Sequence, residues 1–472
     1  MSKELSNLLF PHVGAPPKLV RRKTPAFRIA PSPTGSLHLG SIAMGFVNRL
    51  LADAHKGVFF LRIEDTDKKR EVEGGVEALI AGFEKFGIKF DEFAGKQSER
   101  LELYHAFAKQ LVEKGHAYPC FCDPTPGYKG EGCSNISLEQ VKKNLDNNKS
   151  WCLRFRSTAK EDERIHWDDL IRGKMSLPAQ ENHFVLLKSD GIPPYNFAHV
   201  VDDTTMGTTH VVRGEEWLPS TAEHIQIHRA LFGTALNYEY AHLPVITVLD
   251  EGNKRKLSKR KDKFALGDWF LEQGYPVASV KEYILTLFNT DYEMWRIANP
   301  SLPFSDFEFK FERIGNNSPL FDMQKLEYIS REVISRMTKR EIHQAVVNFG
   351  ITEEKILQAL EIDRETEKPR KDIAKWSEIP EMFNYMITAP KIVLSEDERA
   401  MLKQYKYKTH PTREEWFADI KSYGFKVRDF TQAIRKALTG RENTPDLFAI
   451  KNILGEAEVT ARLGALFTKT AK

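Results

Sequence analysis

Residues 26–64 carry the pattern that most restricts the fold: an apolar run, a turn rich in proline and glycine, an amphipathic helix and a second apolar run. AFRIA at 26–30 predicts a short buried strand, and VFFLRIE at 58–64 predicts another. Between them, residues 41–56 place apolar side chains at helical spacing and end before Gly57. This order predicts a βαβ unit, and therefore an α/β domain that binds its ligand at the carboxyl ends of the strands.

The alternation of strands and helices is interrupted and then resumes. From about 115 to 190 the pattern dissolves into clusters of Pro, Gly, Cys and polar residues, which indicates an inserted module. A strand at 209–213, a helix at 221–232 and a strand at 242–249 then continue the α/β pattern. Beyond about residue 330 helical periodicity dominates, so the C-terminal third is predicted to be a separate helical part.

Length and composition bound the class of protein. A chain of 472 residues is too long for one core, and 41% hydrophobic with 29% charged residues is typical of a soluble globular protein. No apolar run approaches the roughly 18 residues of a membrane-spanning helix, and the N-terminus lacks the pattern of a secretory signal. We therefore expect a cytoplasmic protein with no membrane association. Because the net charge is only +3, a nucleic-acid partner would have to be bound by local basic patches.

The stretch FRIAPSPTGSLHLGS at 27–41 places a histidine where the first predicted helix begins. Gly40 would let a nucleotide approach the backbone at the positive end of that helix. His38 could donate a hydrogen bond to a phosphate oxygen as charge builds there during phosphoryl or nucleotidyl transfer. The alternative is a connection rich in Pro and Gly that contains an incidental histidine.

A second cluster, NKRKLSKRKDKF at 253–264, holds seven Lys or Arg residues and cannot enter a core. It predicts a solvated loop after a strand, with ammonium groups able to bind a triphosphate or a pyrophosphate leaving group. Taken alone, the cluster is better explained as a plain charged loop or a nucleic-acid patch.

Together the two clusters resemble the signatures of class I aminoacyl-tRNA synthetases. HLGS at 38–41 is similar to the His-Ile-Gly-His motif, and KLSKR at 256–260 is similar to the Lys-Met-Ser-Lys-Ser motif. LRIEDTD at 61–67, PPYNFAHVVDD at 193–203 and HVVRGEEWLPST at 210–221 extend the resemblance, in order and spacing, to bacterial-type glutamyl-tRNA synthetases. It is strong over residues 24–330 and weaker to the end of the chain. Ser41 replaces the last histidine and Leu257 replaces methionine, at two places where the family varies.

The resemblance implies a fold: a Rossmann-type class I catalytic domain of the α/β class with an inserted acceptor-binding domain, followed by an all-α anticodon-binding region. It implies these boundaries: an N-terminal extension at 1–24, the two halves of the catalytic domain at 25–114 and 193–248, the acceptor-stem insertion at 115–192, a connecting stem-contact domain with the basic loop at 249–330, and the helical anticodon-binding region at 331–472. In the last region four aromatic residues fit either the core or base stacking, and the core is favoured: Trp376, Phe383, Tyr405 and Tyr407.

The resemblance also implies a reaction. ATP, with Mg²⁺, activates L-glutamate to an adenylate, and the glutamyl group is transferred to the 3′-terminal adenosine of tRNA, with activation that generally requires bound tRNA. The expected partners are a glutamate acceptor tRNA, with a glutamine acceptor tRNA left open, and a monomer is expected. A glutamine-specific relative is disfavoured because it usually ends in β-barrels. A non-catalytic RNA-binding protein would be expected to lose His38 or the basic loop.

Site residues follow by position within the matched motifs. The catalytic residues are expected to be His38, Lys256 and Lys259. The residues expected at ATP are His38, Gly40, Ser41, Lys256, Leu257, Ser258, Lys259 and Arg260. Those expected at glutamate are Arg28, Ser32, Glu64, Tyr195 and Arg213, with Arg213 reading the side-chain carboxylate and Glu64 receiving the α-ammonium group, since a guanidinium fork suits a carboxylate.

Three of the four cysteines, Cys120, Cys122 and Cys133, have a spacing that suits a metal knuckle better than a disulfide scaffold. Some family members hold zinc in this part of the insertion. Tetrahedral zinc wants four ligands, and the position expected to supply the fourth is Asn135, a poor ligand. Three other residues could supply the fourth ligand: His116, Tyr128 and Cys152. Buried free thiols are the alternative.

Overall fold

The computed structural model describes residues 2–19, 21–67, 72–122 and 131–467. The chain divides into two compact units, one formed by Met1–Trp269 with Ile284–Phe321 and the other by Phe270–Tyr283 with Asp322–Lys472. In the described part of the chain, no helix has the length and apolar character needed to cross a membrane.

The strands are β1 Ala26–Ile29, β2 Val58–Ile63, β3 Glu92–Lys96, β4 Ala117–Cys120, β5 Cys152–Phe155, β6 Arg164–Asp169, β7 Gly173–Pro178, β8 Val185–Leu187, β9 His210–Gly214, β10 Glu239–Leu243, β11 Thr247–Asp250 and β12 Asn253–Lys256. The helices are α1 Ser2–Leu9, α2 Leu39–Ala54, α3 Gly75–Lys85, α4 Leu101–Glu113, α5 Leu138–Asp146, α6 Tyr195–Thr205, α7 Thr221–Phe232, α8 Gly267–Glu272, α9 Val277–Phe288, α10 Tyr292–Ala298, α11 Met323–Ser335, α12 Lys339–Phe349, α13 Glu354–Glu361, α14 Ile379–Met382, α15 Glu396–Gln404, α16 Arg413–Ser422, α17 Val427–Thr439 and α18 Leu447–Ala465.

A seven-stranded sheet forms the centre of the first unit, in the order β3-β2-β1-β9-β10-β6-β7. Every neighbouring pair is parallel except β6 with β7. The chain builds outward from β1 in both directions, so the strand order reverses between β1 and β9. Ligands of such sheets bind at this reversal, beyond the carboxyl ends of the strands. The predicted βαβ unit is confirmed, with α2 at 39–54 connecting β1 to β2.

The predicted insertion contributes to two sheets. Strands β4, β5 and β8 form a separate antiparallel sheet, whereas the β6–β7 hairpin extends the main sheet beside β10. Along β6 buried and exposed residues alternate, and Ile165 and Trp167 pack into one apolar cluster with Val211 and Tyr240 of the main sheet. Ala222 and Ile225 of α7 belong to the same cluster, so pairing with β10 places this apolar stripe on a face of the sheet that a helix covers. The boundaries proposed for the insertion stay a prediction.

One strand prediction was wrong. The run 242–249 is two strands, because β10 ends at Leu243 and β11 begins at Thr247, with Pro244 between them. Proline has no N–H to donate to a ladder, so the chain leaves the main sheet there. Strand β11 then pairs antiparallel with β12, with Thr247 opposite Lys256. The first four residues of the basic cluster are therefore a strand, and its loop begins after Lys256.

The second unit is helical, as predicted: no described residue from 322 to 467 lies in a strand. Capping explains several helix ends, since Thr338 and Ser395 form capping boxes and Gly440 ends α17 at φ 68°. Trp376, Phe383 and Tyr405 are buried in its core, which confirms the core prediction for these three side chains, and Tyr407 packs partly buried against the same core. Pro380 lies in the first turn of α14, where its missing N–H costs nothing.

Candidate active site

The turn after β1 presents His38 at the start of α2. His38 caps this helix, and its Nδ1 accepts a hydrogen bond from the Gly40 N–H at 2.9 Å. Burial, together with the positive charges of Lys259 and Lys256, lowers the pKa of His38 to about 4. The ring is therefore neutral near pH 7, and its remaining proton sits on Nε2, where it can be donated. A Cβ at Gly40 would lie 3.1 Å from His38 Nδ1, so a side chain there would crowd the ring.

The basic loop is ordered against this turn. Arg255 forks onto the Asp262 carboxylate at 2.7 and 2.8 Å, and the same carboxylate accepts from the Ser258 N–H at 2.9 Å. Leu257 is buried, whereas Arg260 is exposed. The Lys259 ammonium donates to the Ser36 carbonyl, and Lys256 Nζ lies 2.8 Å from Glu216 Oε1. The structure thus brings the two predicted motifs together, with Gly40 and Ser41 in the first turn of α2.

Arg213, on β9, is only 5% exposed, and its five N–H groups face neutral acceptors. These are His242 Nε2 at 3.0 Å from Nε, the Tyr195 hydroxyl at 3.1 Å and His224 Nδ1 at 3.2 Å from Nη1, and Thr221 Oγ1 at 2.9 Å and the Trp217 carbonyl at 3.3 Å from Nη2. Among the described residues, no carboxylate forms an ion pair with Arg213.

The histidines around Arg213 are neutral. Burial, together with the positive charge of Arg213, lowers the pKa of His242 to about 4 and the pKa values of His199 and His224 well below their usual range. A buried guanidinium is stabilised by a paired anion, and none is supplied by the described side chains around this one. The site therefore favours an incoming anionic group, for which a carboxylate is the matching shape.

Arg28, on β1, is balanced differently. It forks onto Asp203 at 3.2 and 3.0 Å, and Arg62 Nη1 binds the same carboxylate at 2.6 Å. Burial would raise the pKa of Asp203, but the Arg28 and Arg62 guanidinium groups hold it well below the usual range. Asp203 is thus a carboxylate shared by two buried arginines, and Arg28 offers less free charge to a ligand than Arg213 does.

Glu64 follows β2 and lies 3.1 Å from Arg62 Nη2. Burial raises the pKa of Glu64, which Arg62 partly opposes. Four predicted glutamate-site residues lie together: Arg213 donates to the Tyr195 hydroxyl at 3.1 Å, and His199 Nε2 lies 3.5 Å from Arg213 Nη1 and 3.2 Å from Asp203 Oδ2. Asp203 in turn accepts from Arg28 and from Arg62, the residue that binds Glu64. Ser32, the fifth, lies in the turn after β1, where its carbonyl accepts from the Thr34 N–H at 2.8 Å.

Several residues that shape this site had no assigned role in the sequence: Arg62, Asp169, His199, Asp203, His224 and His242. Arg62 carried a signal, because a charged residue inside the apolar run VFFLRIE must be paired within the core. Asp203 stood in the quoted motif PPYNFAHVVDD without a role. Asp169 reaches the site from β6 and carried no usable signal, since it is distant in sequence from every other site residue.

The three cysteines meet as expected. The sulfur atoms of Cys120, Cys122 and Cys133 all lie within 4.8 Å of one another. Cys152 lies opposite Cys120 in the β4–β5 ladder but is not part of this group, and no fourth ligand atom from a described His, Cys, Asp or Glu joins it. Tyr128 lies outside the described residues. Three thiols suit three corners of a zinc tetrahedron, so the fit to zinc is partial.

Comparison with known proteins agrees with this geometry. The family described as "tRNA synthetases class I (E and Q), catalytic domain" matches residues 26–327, and the family described as "Anticodon binding domain" matches 341–467. The glutamate–tRNA ligase of Acetivibrio thermocellus is 37% identical over 98% of this chain and 99% of its own, and that of Clostridium perfringens strain 13 is 34% identical over 98% and 100%.

Among solved structures, a glutamate tRNA ligase from Elizabethkingia meningosepticum in complex with its amino acid is 26% identical, covers 94% of this chain and 99% of its own, and has a TM-score of 0.78. The chain therefore belongs to the class I tRNA synthetases for glutamate and glutamine, and within them to the glutamate–tRNA ligases, which use ATP to join glutamate to tRNA.

Proposed function

We propose that Arg213 binds the side-chain carboxylate of glutamate, that Glu64 receives its α-ammonium group and that Tyr195, Arg28 and Ser32 complete the pocket. The observation that carries this assignment is the buried Arg213 guanidinium, which has only neutral partners among the described residues. The carboxylate would replace the weaker of those contacts, and the gain is the pairing of a buried charge. Glutamine offers no such charge.

His38, Lys256 and Lys259 would bind the triphosphate of ATP, with the adjoining residues of the two motifs completing the site: Gly40, Ser41, Leu257, Ser258 and Arg260. The α-carboxylate of glutamate attacks the α-phosphorus, pyrophosphate leaves, and the 3′-terminal hydroxyl of tRNA then attacks the adenylate. No nucleophilic side chain is needed, so positioning and charge stabilisation supply the catalysis. His38 would donate its Nε2 proton in a hydrogen bond to a phosphate oxygen as charge develops there.

Mg²⁺, when bound with ATP, would neutralise charge on the β and γ phosphates. The described residues at the two motifs hold no cluster of three acidic or histidine ligands. This agrees with a cation held mainly by phosphate and water, as is usual for Mg²⁺. Zinc has no step in this proposal. Cytoplasmic location, a monomeric state and the domain boundaries given above remain predictions.

For tRNA, we infer that the anticodon contacts a cavity of about 340 Å³ in the second unit. Arg441, Asn443 and Thr444 line it beside two aromatic side chains, Phe383 and Tyr385. Guanidinium groups stack over both rings, Arg370 at 5.1 Å from the centroid of Phe383 and Arg441 at 5.9 Å from that of Tyr385. Arg370 is paired with Asp372 at 2.6 Å, so Arg441 is the cation that the proposal relies on. A guanidinium group beside amide and hydroxyl groups suits an unstacked base and its phosphate.

The proposal is tested by ATP–pyrophosphate exchange with and without tRNA, with glutamine assayed in parallel. We expect exchange with glutamate only when tRNA is present, and none with glutamine. Glutamate and glutamine acceptor tRNAs are charged in separate reactions, because the order of activation and the choice of acceptor are independent questions. The residue assignment fails if Arg213→Leu, in folded protein, leaves the KM for glutamate unchanged.

A further inference from the structure

We propose that Asp169 is a positioning residue for glutamate recognition, acting through His242 to hold the Arg213 guanidinium in the plane that binds a carboxylate. This inference rests on the role proposed for Arg213. It extends the site to a residue of the β6–β7 hairpin, which the sequence places in the insertion.

The three side chains form one continuous hydrogen-bonded chain. His242 Nδ1 lies 2.6 Å from Asp169 Oδ2, and Arg213 Nε donates to His242 Nε2 at 3.0 Å. All three are buried, with exposures of 3% for Asp169, 0% for His242 and 5% for Arg213. Solvent therefore cannot replace either bond, and each partner must have the correct donor or acceptor.

The donor and acceptor roles along this chain are determined by Asp169. An ionised carboxylate only accepts, so the proton of a neutral imidazole must lie on Nδ1. Nε2 then presents a lone pair, which is what the Arg213 Nε–H requires. The low pKa of His242, about 4 because of its burial, keeps the ring neutral and so keeps that lone pair available near pH 7.

The hydrogen bond between Arg213 Nε–H and His242 Nε2 determines the orientation of the guanidinium plane. A guanidinium is planar, so a bond at Nε orients both Nη groups. With Nε held by His242, the two Nη groups lie beside the Tyr195 and Thr221 hydroxyls. A rotated guanidinium would meet a carboxylate with one N–H instead of two and would lose much of the advantage of glutamate over glutamine.

An asparagine at 169 is expected to reverse the donor and acceptor roles in the hydrogen bonds from residue 169 through His242 to Arg213. Asp169 Oδ1 accepts from three backbone N–H groups, those of Ile171 at 3.1 Å, Arg172 at 3.0 Å and His242 at 3.2 Å. In Asp169→Asn the amide oxygen must take this place, because an NH₂ group there would face three donors. The NH₂ group then faces His242 Nδ1, the ring proton moves to Nε2, and two N–H groups oppose each other at Arg213.

The first experiment measures tRNA-dependent glutamate activation by Asp169→Asn, with Asp168→Asn as the matched control. Asp168 precedes it on the exposed face of β6. We expect Asp169→Asn to lower kcat/KM for glutamate about ten- to a hundredfold, the loss typical of a buried hydrogen bond to a charged group. The loss should fall on the KM for glutamate, with the KM for ATP unchanged, and the control should match the wild type.

A second pair of variants separates the bond from the packing of the ring. His242→Gln and His242→Leu both remove the imidazole, but only glutamine can present an acceptor oxygen to Arg213 Nε–H. We expect the KM for glutamate to rise more in His242→Leu than in His242→Gln, with both folded by circular dichroism. This comparison decides the question even if Asp169→Asn does not fold.

Nitrogen NMR of protein labelled with ¹⁵N-histidine observes the tautomer directly. We expect His242 as the Nδ1–H tautomer in the wild type and as the Nε2–H tautomer in Asp169→Asn.

The proposal is overturned if Asp169→Asn changes only thermal stability, if it raises the KM values for ATP and glutamate alike, or if the two His242 variants behave identically. Failure of the wild type to activate glutamate would instead overturn the proposed function.

Discussion

At the scale of single residues, the active site is organised by buried charges. Asp203, fully buried, binds both Arg28 and Arg62 and lies 3.2 Å from His199 Nε2. Arg213 is the opposite case, a buried cation whose described partners are all neutral. One carboxylate serves two arginines, which leaves Arg213 as the cation best able to attract a substrate anion.

Asp203→Asn should lower the free energy of unfolding by about 3–5 kcal/mol near pH 7, because it removes the carboxylate paired with the buried Arg28 and one of the carboxylates paired with the buried Arg62. Since the pKa of Asp203 is held below its unfolded value, the stabilisation is fully present above the unfolded pKa of about 4 and is lost as the pH falls through the folded pKa. Urea denaturation at a series of pH values measures this dependence.

The matched control is Asp53→Asn. Asp53 pairs with Arg49 at 2.5 Å, but its side chain is 62% exposed. Its loss should change the free energy of unfolding by no more than about 0.5 kcal/mol. Equal effects of the two substitutions at pH 7 would show that the Asp203 network contributes no more than a surface pair.

At the scale of elements, the N-terminal extension packs against the catalytic unit. Helix α1 ends at Leu9, and Leu9 and Phe10 are buried in the core that includes α4. Lys109 on α4 donates to the Val13 carbonyl at 2.8 Å, which holds the chain beyond the helix. The sequence predicted an extension at 1–24 but no structure for it, because a single helix of eight residues carries too little periodicity to be recognised.

Phe10→Ala should lower the free energy of unfolding by about 3 kcal/mol, the usual cost of emptying a buried aromatic site. Leu19→Ala, in the same extension, is the control, because Leu19 is 39% exposed. Thermal unfolding measures both variants. Because α1 packs on α4, which carries none of the residues predicted at glutamate, the KM for glutamate should stay unchanged in Phe10→Ala. A rise would show that the extension acts on the site.

At the scale of the whole molecule, the predicted small-substrate residues lie in one unit and the cavity proposed for the anticodon lies in the other. The first carries the sheet and every predicted residue for ATP and glutamate, and the second carries the cavity lined by Arg441. The family of anticodon-binding domains matches within the second unit. Substitutions in that cavity should therefore change the KM for tRNA and leave the KM values for ATP and glutamate unchanged.

Arg441→Ala should raise the KM for tRNA about tenfold, the effect of losing one cationic contact of roughly 1.4 kcal/mol. The Arg441 side chain is exposed and donates to the Glu381 carbonyl at 2.8 Å, so the fold should tolerate its loss. Aminoacylation at varied tRNA concentration measures the effect, with Arg428→Ala, an exposed arginine of α17 outside the cavity lining, as the control. A change in the KM for ATP or glutamate at saturating tRNA would contradict the separation of tasks.

The sequence by itself determined the parts of this protein that depend on neighbouring residues. The βαβ unit follows from periodicity over 26–64, and the His38 turn and the basic loop were found because each motif is a short run. The helical second unit was predicted for the same reason. Fold class and family followed from these local patterns and their order along the chain.

Only the tertiary structure decided which buried charged groups form ion pairs and which have neutral partners. Nothing in the sequence distinguishes Arg28, paired with Asp203, from Arg213, which is surrounded by neutral histidines. Nor does it indicate that Asp169 lies 2.6 Å from His242, since these residues are far apart in the chain. The physical reason is that ion pairing and pKa values depend on burial and on contacts between distant segments. Burial and these contacts arise only when the chain folds and β9 and β10 pair beside β1 in the sheet.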